Sequence, residues 1–260
     1  FGSHDRRSLD ALGYLAAART DSARFEEAES DIQRGLAASQ SMQVGTTARL
    51  IRGVFLNRPA TLNAFRGRYD AADDAYRESI ALHTEVLGPD HTRTIYVQLW
   101  RANAIHRRGD YPAAAEAFSR VEQQLQRKLS EEFPDIGFTK SLLAHCWLIM
   151  RKLNQATSKA SDGLAITNSS QYRGVDKFFP RAVLGACLTA GKQFTAAEGQ
   201  LMAAYDALSS DLDEVTVFHQ PLVDLTFQWI IEMYESWSQP EKAEQWRRQR
   251  HEITKKIRLP

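Results

Sequence analysis

Apolar and small residues recur along the chain at helical spacing. Between Thr94 and Gly109 the run TIYVQLWRANAIHRRG places Ile95, Leu99, Ala102 and Ile105 on one helical face. After a short break, Ala114, Ala117, Phe118, Val121 and Leu125 form a second stripe. Gly109 permits a left-handed cap on the first helix, and Asp110 can cap the start of the next. Pro112 then falls early in the second helix, where its missing N–H costs little. The pattern predicts two antiparallel helices joined by a tight turn.

The same arrangement repeats. An aromatic or large apolar residue followed three positions later by alanine occurs at Phe25/Ala28, Tyr69/Ala72 and Tyr111/Ala114, and in weaker form at Leu153/Ala156, Phe194/Ala197 and Pro240/Ala243. Successive offsets are 44, 42, 42, 41 and 46 residues, the mark of a stacked-repeat architecture. Small residues Ala16, Ala60, Ala102, Ala144 and Gly185 recur at a matching position in the first helices, where two helices must approach closely. The expected fold is all-α: a solenoid of about six antiparallel helix pairs forming a single array over residues 1–260. The pairs are expected near 5–40, 46–84, 92–129, 136–166, 178–209 and 220–258. A C-terminal capping helix is predicted from Trp246, Ile253 and Ile257 on one face, with Arg247, Arg248, Arg250, Lys255 and Lys256 around it.

On these residues the chain resembles the tetratricopeptide repeat (TPR) family over nearly its whole length. The long period and the LGPDH turn at Leu87–His91 resemble the kinesin-light-chain type, in which Gly-x-x-His precedes each first helix. FGSHD at Phe1–Asp5 reads either as the same turn shortened by one residue or as an expression scar. The likeness implies a right-handed superhelix. The second repeat departs from it with SMQVGTT in place of the turn, the fourth with Leu153 in the aromatic position, and the fifth with the polar connection TNSSQYRGVDKFFP. Leu222 to Gln249, mainly through YESWSQPEKAEQWR at Tyr234 to Arg247, is similar to the closing helices of TPR tails behind the kinase domain of bacterial serine/threonine kinases.

Composition narrows the chemistry. The chain has 260 residues, 43% hydrophobic and 25% charged, enough to bury a core. Lys plus Arg number 33 against 32 Asp plus Glu, so no global basic field points to nucleic acid. Cys146 and Cys187 lie in apolar runs and read as buried small hydrophobes, neither a disulfide framework nor a zinc site. No stretch approaches a membrane span and no leader is apparent, so the expectation is a soluble fragment or processed product, cytoplasmic or, behind a membrane span, periplasmic.

Catalytic motifs are absent or defective. GACLTAGKQ, Gly185 to Gln193, has five residues between its glycines where a phosphate loop needs four, and Gln193 replaces the hydroxyl. HEITK at His251 lacks the second histidine of a zinc helix. His4, His83, His91, His106, His145 and His219 are scattered, with His91 expected to brace its turn by hydrogen bonds. Asn168 opens a glycosylation-type NSS triplet. Asp73-Asp74 and Glu131-Glu132 point about 100° apart on a helix and share no substrate. No enzyme, cofactor or metal is expected.

The family resemblance implies ligand contacts at first-helix positions counted from the small residue, in a concave groove. These are Asn57 and Thr61; Tyr96, Leu99, Asn103 and His106; Ser141 and His145; Phe179 and Ala182; Gln228 and Glu232. Asn103 leads, because a carboxamide offers a peptide backbone one donor and one acceptor. The groove lacks the dense Lys/Arg set of a terminal-carboxylate clamp, which suits an internal extended peptide; Arg68, Arg107 and Arg108 sit near helix ends. The expected function is protein or peptide binding by a non-catalytic scaffold, as the interaction or sensor region of a larger bacterial regulatory protein. A stand-alone regulator answering a signalling peptide, and a self-associating module, remain alternatives. Nucleic acid and membrane insertion are not expected.

Overall fold

The structure is a computed structural model that describes residues 6–42, 45–129, 133–169, 173–216 and 219–257. The Phe1–Asp5 turn, the Glu131-Glu132 pair and the last residue of the Asn168 triplet fall outside these segments. The described residues form twelve α-helices: α1 (Arg6–Asp21), α2 (Phe25–Ser41), α3 (Thr46–Phe65), α4 (Tyr69–Leu87), α5 (Thr92–Arg108), α6 (Tyr111–Lys128), α7 (Pro134–Ile149), α8 (Leu153–Ser169), α9 (Val175–Ala190), α10 (Phe194–Ser210), α11 (Gln220–Ser236) and α12 (Pro240–Ile257). A 3₁₀ turn, Leu212–Glu214, lies between α10 and α11. No strand occurs among the described residues. The chain divides into two compact units, Phe1–Ala117 and Phe118–Pro260.

The six marker residues Phe25, Tyr69, Tyr111, Leu153, Phe194 and Pro240 are each the first residue of an even-numbered helix. The alanines three positions on, Ala28, Ala72, Ala114, Ala156, Ala197 and Ala243, are all fully buried, which is why nothing larger stands there. Ala16, Ala60, Ala102 and Ala144 are buried as completely. At Gly185 a Cβ would come within 2.6 Å of the Leu201 side chain. The repeat is thus a record of where two helices touch.

Every turn inside a pair has one geometry. Ala23, Gly67, Gly109, Arg151, Lys192 and Ser238, each two residues before its second helix, all have positive φ between 57° and 89°. Each amide N–H donates to the carbonyl three residues back, and the next N–H reaches five back, as from Gly109 to His106 and from Asp110 to Ile105. This Schellman arrangement satisfies carbonyls that the ending helix leaves open. Asp110 also caps α6 by accepting from Ala113 N–H at 3.2 Å. His91 Nδ1 accepts from Arg93 N–H at 3.1 Å, bracing the turn into α5.

In the first unit α1 packs on α2, α3 on α4 and α4 on α5, while α1, α3 and α5 also touch side by side. Its core holds distinct clusters, Leu9, Ile51 and Phe55 in one and Ala60, Ala72, Tyr76 and Val97 in another. Burying one such aromatic contributes about 2–3 kcal/mol. In the second unit α7 packs on α8, α9 on α10 and α11 on α12, and α7, α9 and α11 again lie together. α7 and α8 approach through Gly137 and Gly163, where a Cβ on either would fall within 2.8 Å of the other's carbonyl oxygen. Phe178 and Phe179, which end the polar connection before the fifth repeat, are fully buried in α9.

α12 caps the second unit. Trp246 packs edge-on against Tyr205 at 4.7 Å and beside Phe227 at 6.2 Å, and Ile253 is buried. Three of the surrounding basic residues are paired: Arg247 with Glu235 and Glu244, Arg248 with Glu244, and Arg250 with Asp224.

Candidate peptide-binding face

Odd-numbered helices carry the expected ligand positions. In the first unit Asn57 and Thr61 stand one turn apart on α3, and Tyr96, Leu99, Asn103 and His106 on α5. The Thr61 hydroxyl donates to the Asn57 carbonyl at 2.9 Å and lies 3.0 Å from the Tyr76 hydroxyl. Burial pushes the Tyr76 phenol up to about 12, so it stays neutral. Asn57, Thr61, Tyr96 and Asn103 are half-buried. Leu99 is buried, and so is His106, whose ring meets Tyr111 edge-on at 5.5 Å. Burial pulls the His106 imidazole down to about 4, with Arg107 adding to the effect, so it too is neutral near pH 7.

The second unit treats the same positions differently. Ser141 is buried and donates its hydroxyl to the Gly137 carbonyl at 2.9 Å. His145 is buried with its ring 5.2 Å from Trp229, and Phe179 lies between Trp229 at 6.1 Å and Phe138 at 5.7 Å. Ala182 is buried as well. These rings fill the face that α7, α9 and α11 share. Gln228 is exposed and donates to Glu232 at 2.7 Å. Both border a shallow cleft of 360 Å³ completed by Ile231, Glu235, Arg247 and Arg250.

Three side chains missed in the sequence reading stand out on the first unit. Tyr14, Arg58 and Trp100 each lie two positions before the small residue of α1, α3 and α5. Tyr14 is 70% exposed and Trp100 40%, unusual values for large aromatics in helices that otherwise bury them. Their common register was legible in the sequence; their exposure was not. Arg101 pairs with Asp73 at 2.6 Å and Arg108 with Asp70 at 3.1 Å, while Arg107 lies 4.2 Å over the Phe65 ring.

The remaining motifs are structural. Gly185 to Gln193 forms the end of α9 and its left-handed turn at Lys192. Cys146 and Cys187 are buried free thiols that burial pushes up to about 12. Among the described residues no three His, Cys, Asp or Glu side chains gather as a metal site. No described helix is long and apolar enough to cross a membrane.

Comparison with known proteins defines the class of fold. No family model and no curated protein matches the sequence. Among solved structures, the chain is similar to a kinesin light chain with nearly identical TPR-like repeats from Podosopora anserina, at 16% identity over 79% of this chain and 96% of that one, TM-score 0.57. It is similar to BtubC (BKLC) from P. vanneervenii at 18% identity over 96% and 92%, TM-score 0.59. It is also similar to the apo form of RapI at 10% identity over 97% and 99%, TM-score 0.66. The fold is therefore that of TPR-like repeat proteins, an all-α solenoid of helix pairs.

Proposed function

We propose that this chain is a non-catalytic protein-interaction scaffold that takes an extended partner segment against the face formed by the odd-numbered helices within a unit. The observation that carries the proposal is the exposure of Tyr14 and Trp100 beside half-buried Asn57, Tyr96 and Asn103 on α1, α3 and α5. Exposed aromatics with adaptable amides between them suit an extended peptide. Likeness of fold to TPR-like repeat proteins supports an interaction role. The positions on α7, α9 and α11 belong to the same proposal, with Gln228 as their solvent-facing member. The finer placing, as the C-terminal interaction or sensor region of a larger bacterial, kinase-like regulatory protein, rests on the Tyr234–Arg247 likeness.

Self-association through the Trp237, Trp246 and Ile253/Ile257 face is less favoured, because Trp237 stacks on Phe194 at 5.7 Å and Trp246 and Ile253 pack inside the same unit. The test is a pull-down with the whole chain as bait, wild type against Asn103→Ala, with circular dichroism confirming equal helicity. A partner held by wild type and lost by the variant is the expected result. Equal retention would move the site off this face. A mass in solution that rises with protein concentration would favour self-association.

A further inference from the structure

In each odd-numbered helix after α1 the same two positions are buried, one five residues before the small residue of the crossing and one two residues after it. In the first unit these are Phe55 and Leu62 on α3, and Val97 and Ala104 on α5. Phe55 clusters with Leu9, and Leu62 with Ala16 and Ile32, all from the preceding helix pair. Val97 and Ala104 cluster with Ala60, Ala64 and Tyr76 in the same manner. In the second unit the positions are Thr139 and Cys146 on α7, Pro180 and Cys187 on α9, and Thr226 and Met233 on α11. The count on α11 starts from Ile231, which precedes Pro240 by the same interval that separates Gly185 from Phe194. A first helix uses these two positions to dock on the pair before it.

On α1 both are bare. Ala11 and Ala18 are exposed, and between them Leu15 is 44% exposed and Tyr14 70%. Ala11, Leu15 and Ala18 follow one another at spacings of four and three, so they share a helical face, opposite buried Leu9, Ala16 and Thr20. A surface helix ordinarily turns charged and polar side chains outward, and an apolar stripe in that place marks a contact surface.

The make-up of the stripe selects its occupant. About a point midway between Tyr14 and Leu15 the helix reads alike in both directions, with Ala11 mirroring Ala18 and Tyr14 mirroring Leu15. Two α1 helices laid antiparallel therefore set Ala11 of each against Ala18 of the other, small residues that let the axes approach. The same register brings Asp10 beside Arg19 of the other copy, and Arg7 beside Asp21, so opposite charges meet at both ends. Self-complementarity of this kind is what a two-fold contact requires, because every interaction is made twice. The last helix pair offers no such match. Ile231 and Glu235 on α11 stand where Ala60 and Ala64 receive α5, and Glu235 borders the cleft there with Glu232, Arg247 and Arg250. Seating alanine and leucine on those groups would strip charged side chains of water without a counter-charge in return.

We infer that the Ala11–Leu15–Ala18 stripe of α1 is a homodimer contact, through which two copies of this chain pair their first helices antiparallel about a two-fold axis close to Leu15. The inference goes beyond the partner-binding reading and uses none of Asn57, Tyr96 and Asn103; Tyr14 flanks the stripe and stays unchanged in the tests. One helical stripe per copy lies at the small end of interface sizes, so the pairing is weak, with Kd on the order of 10 μM.

Sedimentation equilibrium of the whole chain from about 1 to 300 μM brackets that value. The expected result is a mass that rises from one chain to two and stops there, with Kd raised at least ten-fold by Leu15→Glu, which sets two carboxylates near the axis. Leu15 is exposed, and circular dichroism confirms that the variant keeps its helicity. A second measurement does not depend on that variant. With oxidised glutathione, a mixture of Ala11→Cys and Ala18→Cys chains is expected to form linked dimers faster than either chain alone, since native Cys146 and Cys187 are buried. A one-chain mass at every concentration would overturn the inference, as would a mixture that links no faster than its components. A rising mass that survives Leu15→Glu would also overturn it and move the contact elsewhere, the Trp237 face included. A mass climbing past two chains would overturn it in favour of head-to-tail assembly. Pairing that appears only after residues 1–5 are deleted would assign the stripe to that segment and overturn it too. None of these outcomes decides the partner-binding reading, which the pull-down with Asn103→Ala judges separately.

Discussion

Lys192 occupies a backbone position that two of the other repeats give to glycine, at Gly67 and Gly109. Its φ is 57°, against 72° at Gly67 and 89° at Gly109 in the equivalent turns. A side chain in the left-handed region costs about 1–2 kcal/mol through the clash of Cβ with the following carbonyl. Glycine relieves that clash but loses roughly 0.5–1 kcal/mol in extra chain entropy on folding. Lys192 is exposed, so its removal forfeits no core contact. Lys192→Gly is therefore expected to stabilise the protein by about 0.5–1 kcal/mol. Gly109→Ala runs the comparison backwards: a Cβ there meets nothing within 4 Å, so the substitution tests backbone conformation alone. It should destabilise by a similar amount. Urea unfolding followed by circular dichroism reads both as a midpoint shift of about 0.3 M at constant slope, up for the first and down for the second. A Lys192→Gly midpoint at or below wild type, with Gly109→Ala unchanged, would refute the reasoning.

Two further outcomes follow from packing and burial. Gly163→Ala should destabilise by about 1–3 kcal/mol, because its Cβ would sit 2.7 Å from the Gly137 carbonyl oxygen, whereas Gly199→Ala, with open space and an ordinary helical backbone, should stabilise by up to about 1 kcal/mol; thermal unfolding of the pair ranks them. Neutral His106 makes stability fall on acidification. Its folded value of about 4 lies below the unfolded 6.5, so the unfolded chain binds the extra proton between those pH values. The contribution is fully present above pH 6.5 and is lost as pH drops towards 4, by roughly 3 kcal/mol. Asp176 works in the opposite sense. Burial and the nearby Asp135 raise it from 3.8 to about 6, so the folded state takes up its proton first and gains stability as pH falls through that window. Urea midpoints of wild type and His106→Leu at pH 7.5 and 5 separate the two; an equal drop in both proteins would remove His106 as the cause.

The repeat, its register and its turns were written in the sequence. Phe25, Tyr69 and Tyr111 with their alanines mark helix starts and crossing points because a crossing admits only a small side chain, and that demand returns with each pair. Glycine at 67 and 109 advertised the left-handed turn, while Arg151, Lys192 and Ser238 adopt it without the sign, since the Schellman hydrogen bonds offset the local cost.

The candidate site was legible only as register. Counting from the small residue locates Asn57 and Asn103 on a first helix, but it gives the same status to Ser141, His145 and Phe179, which are buried. What separates them is how far neighbouring first helices close on one another. In the second unit Phe138, Phe179, His145 and Trp229 meet across α7, α9 and α11, contacts between residues dozens of positions apart that no local period encodes. In the first unit Tyr14 and Trp100 are exposed on that face, and the buried Arg58 Nε has no hydrogen-bond partner among the described residues. Helix identity and spacing are local properties of the chain, fixed by periodicity and turn chemistry. Which face of the repeat is core and which is surface is a property of packing, and only the tertiary structure decides it.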